Sequence, residues 1–311
     1  MKRNLLRYGG AFLVIASLNF LIPRLMPGDP LANLLGEEYY LSEASLAELR
    51  RELGLDLPLF RQYLNYWCSL FRFDLGYSYH LHLPVRQLIV ERSLWTLLLA
   101  LPAIILGGVL GVTAGALAGW RETRVAKTLT FLIISVYSMP AYFLALIILY
   151  VFAFRLNLFP LKGFYSTGGL LDLLHHLVLP VGVLTIFLAA RNFMIMRGSV
   201  RQEKNKLYVT YARSRGYSQA ATLWSHVFRN ALLPAIPLIA LDFGFAFSGA
   251  LFIEIIFSLN GMGTLIYEAA MARDYPLLQG ALLTISLAVI LANYLAEKLY
   301  NILDPRTRWH G

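Results

Sequence analysis

Long apolar runs alternate with short polar stretches along this chain. A helix that crosses a bilayer needs about 20 mostly apolar residues, because backbone groups in lipid must find their hydrogen bonds within the segment. Six segments meet this requirement: 8–26, 94–119, 128–154, 177–196, 231–256 and 278–300. The second and third contain no charged residue, whereas Arg191 interrupts the fourth. Arg191 lies near one end of its segment, from which a long side chain can extend toward the headgroups.

The composition agrees with a polytopic membrane protein. Of the 311 residues, 58% are hydrophobic and 14% are charged, against about 25% charged in soluble domains. Cys68 is the only cysteine, which excludes a disulfide framework within the chain. We therefore predict an all-α polytopic membrane protein with six transmembrane helices and both termini in the cytoplasm.

The net charge of +9 would also suit a nucleic-acid partner, but the positions of the basic residues favour an explanation by membrane orientation. They concentrate at the N-terminus, in 121–127, in 197–229 and in the tail at Arg306 and Arg308. Six crossings place these four regions on one side, and the excess of Lys and Arg on cytoplasmic loops makes that side the cytoplasm. No nucleic-acid partner is predicted.

The polar segment between the first two spans predicts a small extracytoplasmic helical module. Within it, 43–53 has apolar residues at helical spacing, Ser42 is suited to cap this helix, and Gly54 is suited to end it. The predicted organisation is a first transmembrane helix over 1–26, the module over 27–93, a transmembrane domain over 94–303 and a cytoplasmic tail over 304–311. A basic loop at about 205–230 lies inside the transmembrane domain.

The motifs of several catalytic classes are missing from the chain. It has no G-x-x-x-x-G-K-[ST] phosphate loop, no H-E-x-x-H and no G-x-S-x-G. We predict no catalytic residue, no cofactor and no metal site, and we interpret His80, His82, His175 and His176 as ordinary loop histidines.

Long ordered motifs lie along nearly the whole chain. In the second half they are Y-V-T-Y-A-R-S-R-G at 208–216, H-V-F-R-N-A-L-L-P at 226–234, I-E-I-I-F-S-L-N-G-M-G at 253–263, A-R-D-Y-P-L-L-Q-G at 272–280 and L-D-P-R-T-R at 303–308. In the first half they are P-G-D-P at 27–30, L-G-L-D-L-P at 53–58, D-L-G-Y-S at 74–78 and S-M-P-A-Y at 138–142. Together they resemble the membrane permease subunit of ATP-binding-cassette (ABC) importers, in the dipeptide, oligopeptide and nickel branch.

This resemblance implies that the loop around Ala212 and Gly216 is the coupling helix that sits in a cleft of the ATPase subunit. The residues carried over are Tyr211, Ala212, Arg213, Arg215 and Gly216. The broad importer motif begins Glu-Ala-Ala, whereas Thr210-Tyr211-Ala212 stand here. Leu233-Pro234 also lie farther beyond the glycine than in the broad motif, and both departures fit the peptide and nickel branch.

The resemblance further implies a set of partners and a transport cycle. The partners are two ATP-binding subunits, a second homologous permease, an extracytoplasmic substrate-binding protein and the lipid bilayer of the cell (inner) membrane. The predicted function is import of small peptides by alternating access without an ATPase site in this chain, and the alternative cargo is nickel or a nickel chelate. A stand-alone channel, a proton-coupled carrier and a membrane enzyme are further alternatives. The scarcity of charged residues in the spans disfavours the carrier, and the missing catalytic motifs disfavour the enzyme.

Two carboxylates inside the predicted fifth span are candidates for the translocation path. Asp242 lies about halfway along it, where a charge costs about 2.5–3.5 kcal/mol on insertion scales and should therefore face a cavity or a partner. It either attracts a cationic group of the cargo or makes a structural hydrogen bond to a neighbouring helix. Glu254 lies near the outer end, at a gate or an interhelical contact.

Overall fold

Helices make up most of the protein in the computed structural model, which describes residues 2–25, 51 and 56–303. The helices are α1 (Lys2–Leu25), α2 (Leu59–Phe71), α3 (Val85–Trp120), α4 (Arg124–Tyr137), α5 (Ala141–Ile148), α6 (Leu170–Lys204), α7 (Leu207–Ser214), α8 (Gln219–Ala221), α9 (Phe228–Leu232), α10 (Ala235–Gly249), α11 (Leu251–Ile256), α12 (Met262–Met271) and α13 (Tyr275–Leu303). A π-helical segment, Leu149–Arg155, continues α5, and another, Thr222–Val227, joins α8 to α9. Strands β1 (Tyr77–Ser78) and β2 (Leu83–Pro84) pair antiparallel.

Some predictions concern residues outside those that the structure describes. The predicted helix over 43–53, with its cap at Ser42 and its stop at Gly54, lies outside the described residues except for Arg51. The tail over 304–311 lies outside them as well.

Three helices in the described part of the chain are long and apolar enough to cross a bilayer. They are Val85–Trp120, Leu170–Lys204 and Tyr275–Lys298, and they contain most or all of the predicted second, fourth and sixth segments. The apolar part of α1 that is described, Leu6–Leu21, is shorter. The predicted fifth segment is divided among the end of α9, α10 and α11. The count of six crossings therefore stays a prediction.

The predicted third segment, 128–154, is not one straight helix. The helices Arg124–Tyr137 and Ala141–Arg155 meet at an angle of 102°. Pro140 stands at the break in an extended conformation, with φ −60° and ψ 138°. A proline has no N–H for the preceding turn and disfavours the helical conformation of the residue before it. Counted as one broken span, this pair raises the number of candidate crossings in the described residues to four.

One compact unit contains the described residues up to 95 together with 261–290, and Asp274 organises its loops. The Oδ2 atom of this buried carboxylate accepts hydrogen bonds from the Ser78 hydroxyl at 2.7 Å and the His80 backbone N–H at 3.1 Å. Its Oδ1 atom accepts from the Leu277 N–H at 3.1 Å, which caps the first turn of α13. The same unit contains the start of α3 at Val85, so the helix begins before the predicted module boundary at 93.

The second compact unit contains residues 96–260 and the described residues from 291 to 303, and a row of glycines brings α3 and α6 into close contact in it. Gly107, Gly111, Gly115 and Gly119 recur every fourth residue on one face of α3. A Cβ atom at Gly111 would lie 2.5 Å from the Ala189 carbonyl oxygen, and one at Gly115 would lie 2.6 Å from that of Phe193. Small residues at this spacing allow two membrane helices to pack backbone against backbone.

Candidate functional site

The short helix α7 lies within the basic loop that the sequence singled out. It follows α6 after a two-residue connection and spans Leu207–Ser214. Its C-terminal end forms a Schellman motif: the Tyr217 N–H donates to the Ala212 carbonyl at 3.4 Å, and the Gly216 N–H donates to the Arg213 carbonyl at 2.9 Å. Gly216 takes the left-handed conformation with φ +85°, which is the reason for a glycine at this position.

The inner face of α7 packs into an apolar cluster. Val209 and Ala212 are buried, one turn apart on the same side of the helix. Val209 belongs to a cluster made by three neighbouring helices and the segment after α7: Val112, Ala116, Trp120, Met196, Val200, Val209, Leu223, Val227 and Ala231. This packing holds the short helix in a fixed position at the ends of α3 and α6.

The outer face of α7 is open and combines apolar and basic groups. Leu207 is 88% exposed and Tyr211, one turn later, is 65% exposed. The Arg215 guanidinium lies 5.7 Å from the centre of the Tyr211 ring, and Arg213 lies 5.0 Å from the Trp120 ring. Between Arg197 and Arg229 the chain has seven Lys and Arg residues and one acidic residue, Glu203. The surface is thus suited to a partner with an acidic rim and an apolar pocket.

Three further hydrogen bonds stabilise the base of α7. The Glu203 carboxylate accepts from the Tyr208 hydroxyl at 2.7 Å and from Lys206 Nζ at 2.5 Å. Burial, together with this carboxylate, raises the pKa of Tyr208 to about 12, so the phenol stays protonated and continues to donate at physiological pH. Lys204 Nζ donates to the Trp120 carbonyl at 2.9 Å, which ties the end of α6 to the end of α3.

The five predicted coupling residues therefore play different parts in one feature. Tyr211 and the two arginines lie on its exposed side, Ala212 is buried in its base, and Gly216 ends the helix. Sequence reasoning missed Trp120, Glu203 and Tyr208. The position of Trp120, directly after the apolar run of α3, could have indicated its role. The hydrogen bond between Tyr208 and Glu203 could not be foreseen, because it depends on how α7 folds back.

Asp242 and Arg191 form an ion pair between α10 and α6. The Asp242 carboxylate accepts from Arg191 Nη2, and the same nitrogen donates to the Leu238 carbonyl at 3.2 Å. The side chain of Asp242 is 4% exposed and that of Arg191 is 28% exposed. Arg191 thus turns toward a carboxylate within the protein, which differs from the predicted extension toward headgroups. For Asp242 this geometry favours a structural contact between helices.

Glu254 is fully buried in α11. Its Oε1 atom accepts a hydrogen bond of 2.7 Å from the Thr96 hydroxyl of α3. This contact joins two helices near one end of the second unit. The two candidates for the translocation path, Asp242 and Glu254, each hold an interhelical contact, and their proposed role toward cargo stays a prediction.

Comparison with known proteins gives the family. The family model described as "Binding-protein-dependent transport system inner membrane component" matches residues 111–309. The chain belongs to this family. A Brucella ovis protein named as a peptide permease is 36% identical over 304 residues, which cover 96% of this chain and 95% of that protein. The dipeptide transport system permease protein DppB of Escherichia coli is 31% identical over 322 residues, covering 96% and 95%.

A Sinorhizobium fredii protein named as a peptide ABC transporter permease is 33% identical over 292 residues, which cover 93% of each chain. The similarity therefore extends along nearly the full length, as the ordered motifs predicted. The resemblance to ABC importer permeases of the peptide transport family is confirmed. The chain is a multi-pass protein of the inner membrane and a transport component, and α7 lies in the part that the family model covers.

Proposed function

We propose that this permease moves small peptides across the inner membrane as one half of an ATP-driven pore that works by alternating access. Its partners in this proposal are a second homologous permease, two ATP-binding subunits and an extracytoplasmic substrate-binding protein. The observation that carries the proposal is α7, a short helix with an exposed apolar and basic face on a buried base.

The geometry of α7 is suited to transmitting force. A side chain on a loose loop would move without displacing the spans behind it. Here Val209 packs with residues of α3 and α6 in one apolar cluster, so a push on Tyr211 reaches both helices through close-packed side chains. When ATP binding closes the ATPase pair, this contact turns the pore outward to accept cargo, and hydrolysis with release restores the inward state.

The proposed topology has six crossings, with the extracytoplasmic module over 27–93 and with both termini in the cytoplasm. The basic segments 121–127 and 197–229 support it, because an excess of Lys and Arg marks cytoplasmic loops. Segments 128–154 and 177–196 lie between them and provide two crossings. The coupling surface of α7 then faces the cytoplasm, where ATP is available.

Peptides are the proposed cargo because the matched relatives are named for peptide or dipeptide transport. Nickel or a nickel chelate is the alternative, and no feature of the described residues favours it. In that part of the chain no three His, Cys, Asp or Glu side chains gather into a metal site. Selection between cargoes belongs chiefly to the proposed binding protein.

The test is to weaken the exposed face of α7 without disturbing its base. Tyr211→Ala and Arg215→Glu, in the complete importer in liposomes, remove one apolar anchor and reverse one charge. An interface anchor contributes about 2 kcal/mol or more, so we expect the permease to lose about ten-fold or more of its affinity for the ATPase subunits. Co-purification of those subunits and ATP-dependent peptide uptake both report this loss.

Arg124→Glu is the matched control. Arg124 is an exposed arginine at the start of α4, in the other basic segment 121–127, so the control makes the same charge change away from α7. It should retain the ATPase subunits and the uptake rate. Normal uptake by both α7 variants, or uptake by the permease alone without nucleotide, would contradict the proposal.

A further inference from the structure

One side of α2 exposes an apolar stripe that no described part of the protein covers. Phe60, Leu64, Cys68 and Phe71 follow one another at intervals of four, four and three residues, which places them on one face of a helix. Phe60 is 70% exposed, Leu64 is 47% exposed and Phe71 is 76% exposed; Cys68 is exposed as well. These four side chains carry no charge, and the thiol is their only polar group; Arg61, three residues before Leu64 and seven before Cys68, is exposed at the edge of the same face.

A second side of α2 packs along α1. The Phe12 and Trp67 rings lie 6.0 Å apart and the Phe20 and Tyr63 rings lie 5.2 Å apart. Arg24 Nε donates to Gln62 Oε1 at 3.1 Å. Residue numbers fall along α1 as they rise along α2, so the two helices run antiparallel.

The third side of α2 is polar. Gln62, Asn65 and Ser69 line a cavity of about 290 Å³ together with Asp74 and Gln279. The helix therefore separates its surroundings sharply, with polar groups toward this cavity and apolar groups on the opposite side. Such segregation is typical of helices that bury an apolar face away from water.

The neighbouring helix α1, along which α2 packs, indicates what covers the stripe. The contacts from Phe12 to Arg24 extend over about 18 Å of α1, at 1.5 Å per residue. Over this length α1 exposes its own apolar side chains at helical spacing: Val14, Leu18 and Leu21. In an inner-membrane permease this exposed face contacts lipid, and α2 packs along the same stretch of α1. Tyr63 and Trp67 beside the stripe are residue types that concentrate at membrane interfaces.

We infer that α2 is embedded in the bilayer beside α1 and that Phe60, Leu64, Cys68 and Phe71 contact lipid acyl chains. This goes beyond the transport function, and it changes the interpretation of the segment before α3. Residues 59–71, which the sequence placed in an extracytoplasmic module, form a lipid-facing element. Its place in the outer leaflet rests on the topology proposed above. Its contact with lipid rests on the exposed stripe and on the packing of α2 along α1.

The native sequence offers a direct test, because Cys68 is the only cysteine. A nitroxide spin label on Cys68 of the complete importer in liposomes reports its collisions with oxygen, which partitions into lipid, and with a neutral nickel chelate, which stays in water. We expect the ratio of oxygen to chelate collisions to be several-fold higher at Cys68 than at the control position. Peptide uptake by the labelled importer establishes that it is intact.

The control uses Cys68→Ser with Asn65→Cys, which moves the label to the polar side of the same helix. Labels at Phe60→Cys and Leu64→Cys in a Cys68→Ser background should repeat the high ratio, whereas Ser69→Cys, on the side that lines the polar cavity, should give a low one. A label on Cys68 that collides freely with the chelate would overturn the inference. An immobilised label that neither reagent reaches would also overturn it, because it would mean that a protein partner covers the stripe.

Discussion

At the scale of single residues, the pair of Asp242 and Arg191 shows how the protein accommodates charge within its spans. A lone carboxylate or guanidinium in an apolar environment is costly, and each one here neutralises the other. Sequence inspection identified both residues, but as separate features with separate explanations. They lie 51 positions apart in the chain, and only the packing of α6 against α10 brings them together.

We expect Asp242→Asn to destabilise the protein strongly. Removal of one partner of a buried ion pair leaves the other charge unpaired, at a typical cost of 3–5 kcal/mol. Thermal unfolding of the purified protein in detergent measures the change. Glu122→Gln is the control, because Glu122 pairs with Arg201 at 3.0 Å with both side chains about half exposed; its cost should be about 0–1 kcal/mol.

The same variant tests whether Asp242 has a role toward cargo. If Asp242→Asn folds to normal levels and imports every peptide at the normal rate, the predicted place on the translocation path is wrong. If it melts like the Glu122→Gln control, the structural interpretation is wrong as well. Preferential loss of peptides with a free amino terminus, compared with N-acetylated ones, would support the path.

At the scale of helices, the close packing of α3 against α6 depends on glycines. Gly108 is adjacent to Gly107 in sequence but faces a different neighbour, because a Cβ atom there would come no closer than 3.9 Å, to Ile239 Cδ1. At Gly111 the same atom would meet backbone, which cannot turn away. Gly108 thus leaves room for a Cβ atom, whereas Gly111, three positions later on the same helix, does not.

We therefore expect Gly111→Ala and Gly108→Ala to act in opposite directions. The first forces α3 away from α6, and overpacking of this kind costs about 1–3 kcal/mol. The second adds helix propensity of about 0.5–1 kcal/mol without a clash. Melting temperatures in detergent measure both changes. Equal effects of the two substitutions would mean that α3 and α6 do not make the close contact.

At the scale of the whole molecule, the bend between α4 and α5 raises the question of whether segment 128–154 crosses the membrane. Helices that meet at 102° also occur in segments that enter the bilayer and return to the same side. Charge argues for crossing, because the basic segments 121–127 and 197–229 share a side only if both intervening apolar segments cross. A returning segment would put seven basic residues outside, against the positive-inside bias.

Reporter fusions decide between these arrangements. Alkaline phosphatase fused within 158–162 should be active, because that loop lies outside if the broken span crosses. A fusion within 121–123 is the control and should be inactive with phosphatase but fluorescent with a cytoplasmic reporter. The opposite pattern at 158–162 would leave the segment re-entrant and would require a new topology.

The sequence by itself determined the class of protein, its family and the place of the basic loop that contains α7. These rest on hydrophobicity and ordered motifs, which are local properties: about 20 apolar residues define a span whatever surrounds it, and Gly216 ends α7 through its own conformational freedom. The tertiary structure decided the contacts between distant positions. The pairing of Arg191 with Asp242, the approach of α6 to the glycines of α3 and the position of α2 along α1 join segments far apart in the chain, and only three-dimensional packing selects among the possible partners.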